Sequence, residues 1–109
     1  MIREKTLGIM NSIIQDYLMH TINRCRAVER LIYDVDIDYV HGVWNEKSTQ
    51  DDLFVVDCYY AIKHLTHAGY ETTDEEIRYF NECLNGRRTY NVDEKTQMIR
   101  EYYESIKPK

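Results

Sequence analysis

The chain has 109 residues, 43% of them hydrophobic, and a formal net charge of −5. That length sets one helical domain over residues 1–109 with enough apolar content for a core, and three cysteines are too few for a disulfide framework. Residues 34–57 carry seven carboxylates against one lysine, which argues against nucleic acid as a ligand, because phosphates would meet like charge.

A single proline and four glycines leave long uninterrupted segments. The expected fold class is therefore all-α: a compact bundle of four main helices at about 4–33, 49–68, 73–85 and 91–107, with a short irregular or helical segment at 34–47. In the first segment Leu7, Met10, Ile14, Tyr17, Leu18, Thr21, Ile22, Cys25, Val28 and Ile32 share one stripe, which predicts one long helix. Asp16, Asn23, Arg26 and Arg30 fall on its solvated face. Arg24, Arg26 and Arg30 are expected in its last turns, where cations oppose the negative helix end, with a small anion-binding cluster as the functional alternative.

Residues 34–48 alternate like a strand, but no second strand exists to pair with, so a short helix is preferred. Ile37, Val40 and Trp44 have helical spacing, and Trp44 is expected to anchor the segment to the core. Gly42 weakens regular structure there.

The stretch Gln50 to His67 is the most apolar and does not alternate, so it reads as the central helix. Phe54, Cys58, Ala61, Ile62 and Leu65 share a face that Val55 and Tyr59 widen. A second face holds Leu53, Asp57, Tyr60, His64 and His67. Ser48 or Thr49 caps the start, and Gly69 suits the left-handed position beyond the end. Ala68-Gly69-Tyr70-Glu71 is a connector. Thr72 and Thr73 each precede a glutamate by three residues, the capping-box pattern, and Ile77, Phe80 and Leu84 follow at helical spacing. Asn85-Gly86 ends that helix. Asn91, with Glu94 three residues on, starts the last one, and Pro108 stops it. Residues 73–107 thus form a helical hairpin.

The motif tests return little chemistry. Asp34, Asp36 and Asp38 match the first ligands of a calcium loop, but Tyr39 stands where the loop needs glycine and Asn45 where it needs glutamate. His64 and His67 lie on neighbouring turns without the two further ligands that zinc needs, and Cys58 is on the opposite face. There is no glycine-rich phosphate loop. The last helix mixes Asp93, Glu94, Glu101 and Glu104 with Lys95, Arg100 and Lys107, which suits DNA poorly and leaves Arg87 and Arg88 as the supporting charges.

In layout, residues 61–106 resemble the antitoxins that silence Fic-type AMP-transferases. The likeness lies in Ala68-Gly69-Tyr70, the acidic capped helix, Leu84-Asn85-Gly86 and the closing helix. In that family a glutamate just before the glycine holds an arginine, and a hydroxyl residue lies four positions earlier. Those positions are Ala68 and His64 here, so the inhibitory mechanism does not carry over.

The expected function is non-enzymatic, with no cofactor and no metal. Ten tyrosines in a small acidic chain give rigid contact area with polar tips, as protein interfaces use. In type the chain resembles antitoxins, immunity proteins and phage or mobile-element inhibitors of defence systems. The expected partner is another protein with a basic, nucleic-acid-binding surface. The expected contact residues are Asp34, Asp36, Asp38, Tyr39, Trp44, Asp57, Tyr60 and His64. The alternatives are a helical homo-oligomeric structural or adaptor protein, such as a homodimer in which the second faces of the first and central helices meet across a two-fold axis, and a DNA-binding regulator acting through 73–107. A cytoplasmic location is expected. No signal peptide is apparent, and the longest apolar run, Cys58 to Ile62, is too short to span a membrane.

Overall fold

The computed structural model describes residues 2–46, 49–69 and 71–106, with the backbone alone described at Glu46, Gln50 and Asp51. The expectations for Ser48 as a cap, for Tyr70 in the connector and for Pro108 as a stop lie outside the described residues. The architecture is all-α. The helices are α1 (Ile2–Leu18), α2 (Arg24–Asp34), α3 (Ile37–Glu46), α4 (Gln50–Lys63), α5 (Asp74–Leu84) and α6 (Val92–Ile106), with a 3-10 turn, His64–Thr66, extending α4.

The long first helix expected over 4–33 is two helices. α1 stops because His20 takes a left-handed conformation, φ 62°. The Thr21 N–H then donates back to the Asp16 carbonyl at 2.9 Å and the His20 N–H to that of Tyr17 at 3.1 Å, which satisfies the last carbonyls of the helix. Asn23 restarts it: its side chain accepts from the Arg26 N–H at 2.8 Å. The predicted stripe does not keep its register across the break: Cys25 and Ile32 are exposed, and α2 buries Ala27 and Leu31 instead, while Ile22, in the turn, still leans on the core and α1 and α2 pack against each other.

The break also moves Arg24 from a helix end to a helix start. Its guanidinium donates to the carbonyls of Leu65, 3.1 Å, and Thr72, 2.8 Å, and to Asp74, 3.0 Å. Arg26 pairs with Glu29, and Arg30 with Asp16. The three arginines are thus engaged within the chain and do not converge as an anion site.

The segment 34–47 is helical from Ile37 to Glu46. Asp36 starts it by accepting the Asp38 N–H at 2.9 Å. Val40 is buried, but Trp44 is 50% exposed, so Val40 rather than Trp44 fixes α3 to the core. Trp44 lies outside, its ring edge-on to Tyr60 of α4.

α4 is the centre of the molecule. Thr49 caps it by accepting from the Asp52 N–H. Val55, Val56, Cys58, Tyr59, Ala61 and Ile62 are all buried, a width that one apolar stripe would not give, and α4 touches α1, α2, α3, α5 and α6. Phe54 stacks on Phe80 of α5 and on Tyr90. Thr73 caps α5 through the Glu76 N–H, while the buried Thr72 hydroxyl donates to the Ala61 carbonyl at 2.6 Å. Gly86, φ 73°, closes α5 with the same pair of backbone bonds that His20 makes at α1, and here the residue is one that carries no side-chain penalty. Asn91 caps α6 through the Glu94 N–H.

The cysteines divide. Cys58 is fully buried, Cys83 is partly so, and Cys25 is exposed, which corrects its expected place on the apolar stripe of the first segment. No helix among the described residues is long and apolar enough to cross a membrane.

Candidate partner-binding surface

The residues proposed as contacts separate into three settings. The first is the corner between α2 and α3. Asp34, Asp36 and Asp38 are all exposed there, and among the described residues no lysine or arginine pairs with any of them. Beside them Tyr33 is 81% exposed and Ile32 is 58% exposed. A helix now occupies 37–46, so the three aspartates straddle a helix boundary and do not wrap a loop, which removes the geometry a calcium loop needs. Tyr39 is partly buried and packs against the core, with the Arg3 side chain beside it.

The second setting is an aromatic run on the outer side of α4. Trp44 meets Tyr60, ring centroids 6.4 Å apart; Tyr60 meets His64 at 5.7 Å; His64 meets His67 at 5.2 Å. Lys63 lies over the Tyr59 and Tyr60 rings. Burial, and then the nearby His67 and Lys63, lower the His64 pKa, so its imidazole is neutral near pH 7. Among the described residues no group of three or more His, Cys, Asp or Glu side chains is arranged to hold a metal ion.

The third setting is internal, and it claims Asp57. The Lys95 ammonium reaches up from α6 to the Asp57 carboxylate at 2.7 Å and to Glu76 of α5 at 3.5 Å. The Tyr90 hydroxyl donates to the same aspartate at 2.7 Å. One ammonium thus serves two carboxylates, and burial raises the Glu76 pKa even though Lys95 pulls it down. Burial and the Asp57 acceptor also push the Tyr90 phenol far up, so it stays a donor. Asp57 therefore fastens α6 to α4, and its carboxylate is turned inward.

Around that cluster is a cleft of about 410 Å³, walled by Tyr60 and His64 on one side and by Thr96, Ile99 and Tyr103 on the other, with Glu71 and Glu76 between. A larger opening of about 580 Å³ lies beside the α1–α2 turn. Its charged groups are spoken for: Arg24 holds Asp74, and Arg78 pairs with Glu75. The Tyr17 hydroxyl donates to Asp74 as well.

Sequence reasoning missed Glu76, Tyr90, Lys95 and Tyr103. A signal was present for one of them. Val92, Lys95, Ile99, Tyr102 and Ile106 recur with three- and four-residue steps, so Lys95 sits on the apolar stripe of α6, where a lysine needs a buried acid. Of the two charges expected to support DNA binding by the hairpin, Arg88 is bound to Glu82 at 2.8 Å and Glu94 at 3.0 Å.

No protein-family model matches the chain, and neither the curated proteins nor the solved structures contain a significant match to it.

Proposed function

We propose that the protein is a non-catalytic binding module that covers a basic surface of a partner protein and, in doing so, inhibits it, in the way antitoxins, immunity proteins and phage anti-defence proteins act. One observation carries this reading. Elsewhere Asp16, Asp52, Asp57 and Asp74 each face an arginine or lysine and Asp93 stands singly on α6, whereas Asp34, Asp36 and Asp38 stand together, exposed and unpaired among the described residues. Unpaired like charges at one corner repel each other, and a basic partner relieves that repulsion. Such charges set association rate and orientation, while exposed aromatic side chains supply affinity. Tyr33 and Trp44 are the aromatic anchors of this reading.

The test is affinity capture from the native host. The baits are the wild-type chain and the triple variant Asp34→Asn, Asp36→Asn, Asp38→Asn, each at low and high salt. Asparagine keeps the Asp36 cap, so the fold is preserved. The proposal expects one basic protein held by the wild type at low salt and lost both on the variant and at high salt. A partner retained equally by both baits at both salt levels contradicts it.

A further inference from the structure

α6 is docked at one end only. Val92 packs against the core and Lys95 is buried, but from Arg100 onward every described residue except Tyr102 is exposed. The face that docks does not stop where the docking stops. It continues as Ile99, Tyr102, Tyr103 and Ile106, at i, i+3, i+4 and i+7, the spacing with which one helix takes another. Tyr103 is 50% exposed and Ile106 is 57% exposed. At its root this stripe opens into the cleft of about 410 Å³, where Asp57 and Glu76 share the single Lys95 ammonium and Glu71 has Arg24 at 3.9 Å.

From this we infer that the groove between the outer half of α6 and the Tyr60 side of α4 is a docking site for a basic amphipathic helix of a partner protein. Its apolar ridge lies on Ile99, Tyr103 and Ile106, and one of its lysine or arginine side chains enters the recess between Tyr60 and Glu76. The heptad spacing of the stripe selects a helix as occupant. The charge of the recess selects a basic one, since a second cation completes what Lys95 only half neutralises. A second copy of this chain fits worse: each copy carries −5, and the recess would receive a partner of like charge. Tyrosine walls add attraction for an alkylammonium or guanidinium group.

This inference rests on the proposed recognition of a basic partner, but it places the contact at α6 rather than at the α2–α3 corner, so the two fail separately. The experiment titrates the isotope-labelled full chain with a synthetic leucine–lysine amphipathic helix. A shuffled peptide of the same composition and a leucine–glutamine analogue serve as controls. The inference expects saturable shifts at residue 60, over 71–76 and over 95–106. It expects about tenfold weaker binding for the double variant Tyr103→Ala, Ile106→Ala, whose side chains are exposed enough to leave the fold intact. Glu76→Gln weakens the lysine peptide and spares the glutamine analogue. The inference is overturned if the shuffled peptide binds equally. It is overturned if the shifts fall at the α2–α3 corner, which would leave the proposed function standing. Sedimentation that shows self-association abolished by Tyr103→Ala would also overturn it, by giving the groove to a second copy.

Discussion

Asp57 and the trio Asp34, Asp36 and Asp38 are the same residue type under opposite management. Asp57 lies between helices, takes the Lys95 ammonium at 2.7 Å and the Tyr90 hydroxyl at 2.7 Å, and faces inward. The trio lies at a helix corner, exposed, with one backbone N–H accepted by Asp36 and no cation beside any of them among the described residues. The contrast separates two uses of acid in one small chain. Where a carboxylate is partly desolvated, an internal cation must come with it, and the pair then fixes the relative position of two helices. Where it is solvated, no partner is required for folding, and its charge is left for something outside.

Removing the internal cation is the most forceful way to break that contrast. Lys95→Ala leaves the Asp57 carboxylate of α4 and the Glu76 carboxylate of α5 without the cation they share, and the expected loss is about 3 kcal/mol of stability, read from the urea midpoint. Protection of α6 amides in hydrogen exchange should fall further than that of α4, since α6 is the helix that the lysine holds.

Asp57→Asn is milder. The Lys95 ammonium keeps Glu76, and asparagine still accepts from Tyr90, so the expected cost is about 1–2 kcal/mol, for one charge-assisted hydrogen bond. A neutral result here would return Asp57 to the partner-binding set.

Glu76→Gln sharpens the same point through pH. Burial raises the Glu76 pKa above its ordinary 4.5, against the pull of Lys95, so protonation is easier in the folded protein than in the unfolded chain. The folded state then holds its proton longer than the unfolded state. The stability this contributes is fully present below the ordinary glutamate pKa and is lost as pH rises through the raised folded value. Glutamine removes that loss. The variant should therefore be slightly more stable than the wild type at neutral pH, and its stability should be flatter over the window just above 4.5. A lower midpoint at neutral pH would mean that the Lys95 attraction outweighs burial.

At the other extreme, the triple asparagine variant of Asp34, Asp36 and Asp38 should unfold at the wild-type midpoint. A clear loss of stability would show that the corner serves the fold, and the division between the two groups of acids would collapse.

The fold class was legible in the sequence because helix punctuation is local. Thr49, Thr73, Asn91, Gly69 and Gly86 all do in the structure what their residue types suggest. The break at His20 was not legible, because the stopping residue is not glycine and the apolar residues keep helical spacing in the sequence through the turn, although α2 in the structure buries Ala27 and Leu31 and not Cys25 and Ile32. The N-cap residue Asn23 was the available sign, and it looked like one more polar residue on a solvated face. Trp44 misled for a different reason. Its spacing with Ile37 and Val40 is helical, but α3 is ten residues long and its last turn has run past the core. The candidate surface was half legible. Charge patterning located Asp34, Asp36 and Asp38, since solvated acids need no tertiary information. Asp57 was grouped with them on its helix face alone, because the lysine that claims it lies 38 residues away. Only the packing of α6 on α4 tells the two kinds of aspartate apart.

The central claim is that the corner acids act in association and not in folding. The most direct measurement is the association rate of the captured partner against ionic strength, for the wild type and for the triple asparagine variant. The account predicts a steep fall with salt for the wild type, and a slower, nearly salt-independent rate for the variant. Equal rates with equal salt slopes for the two proteins would contradict it.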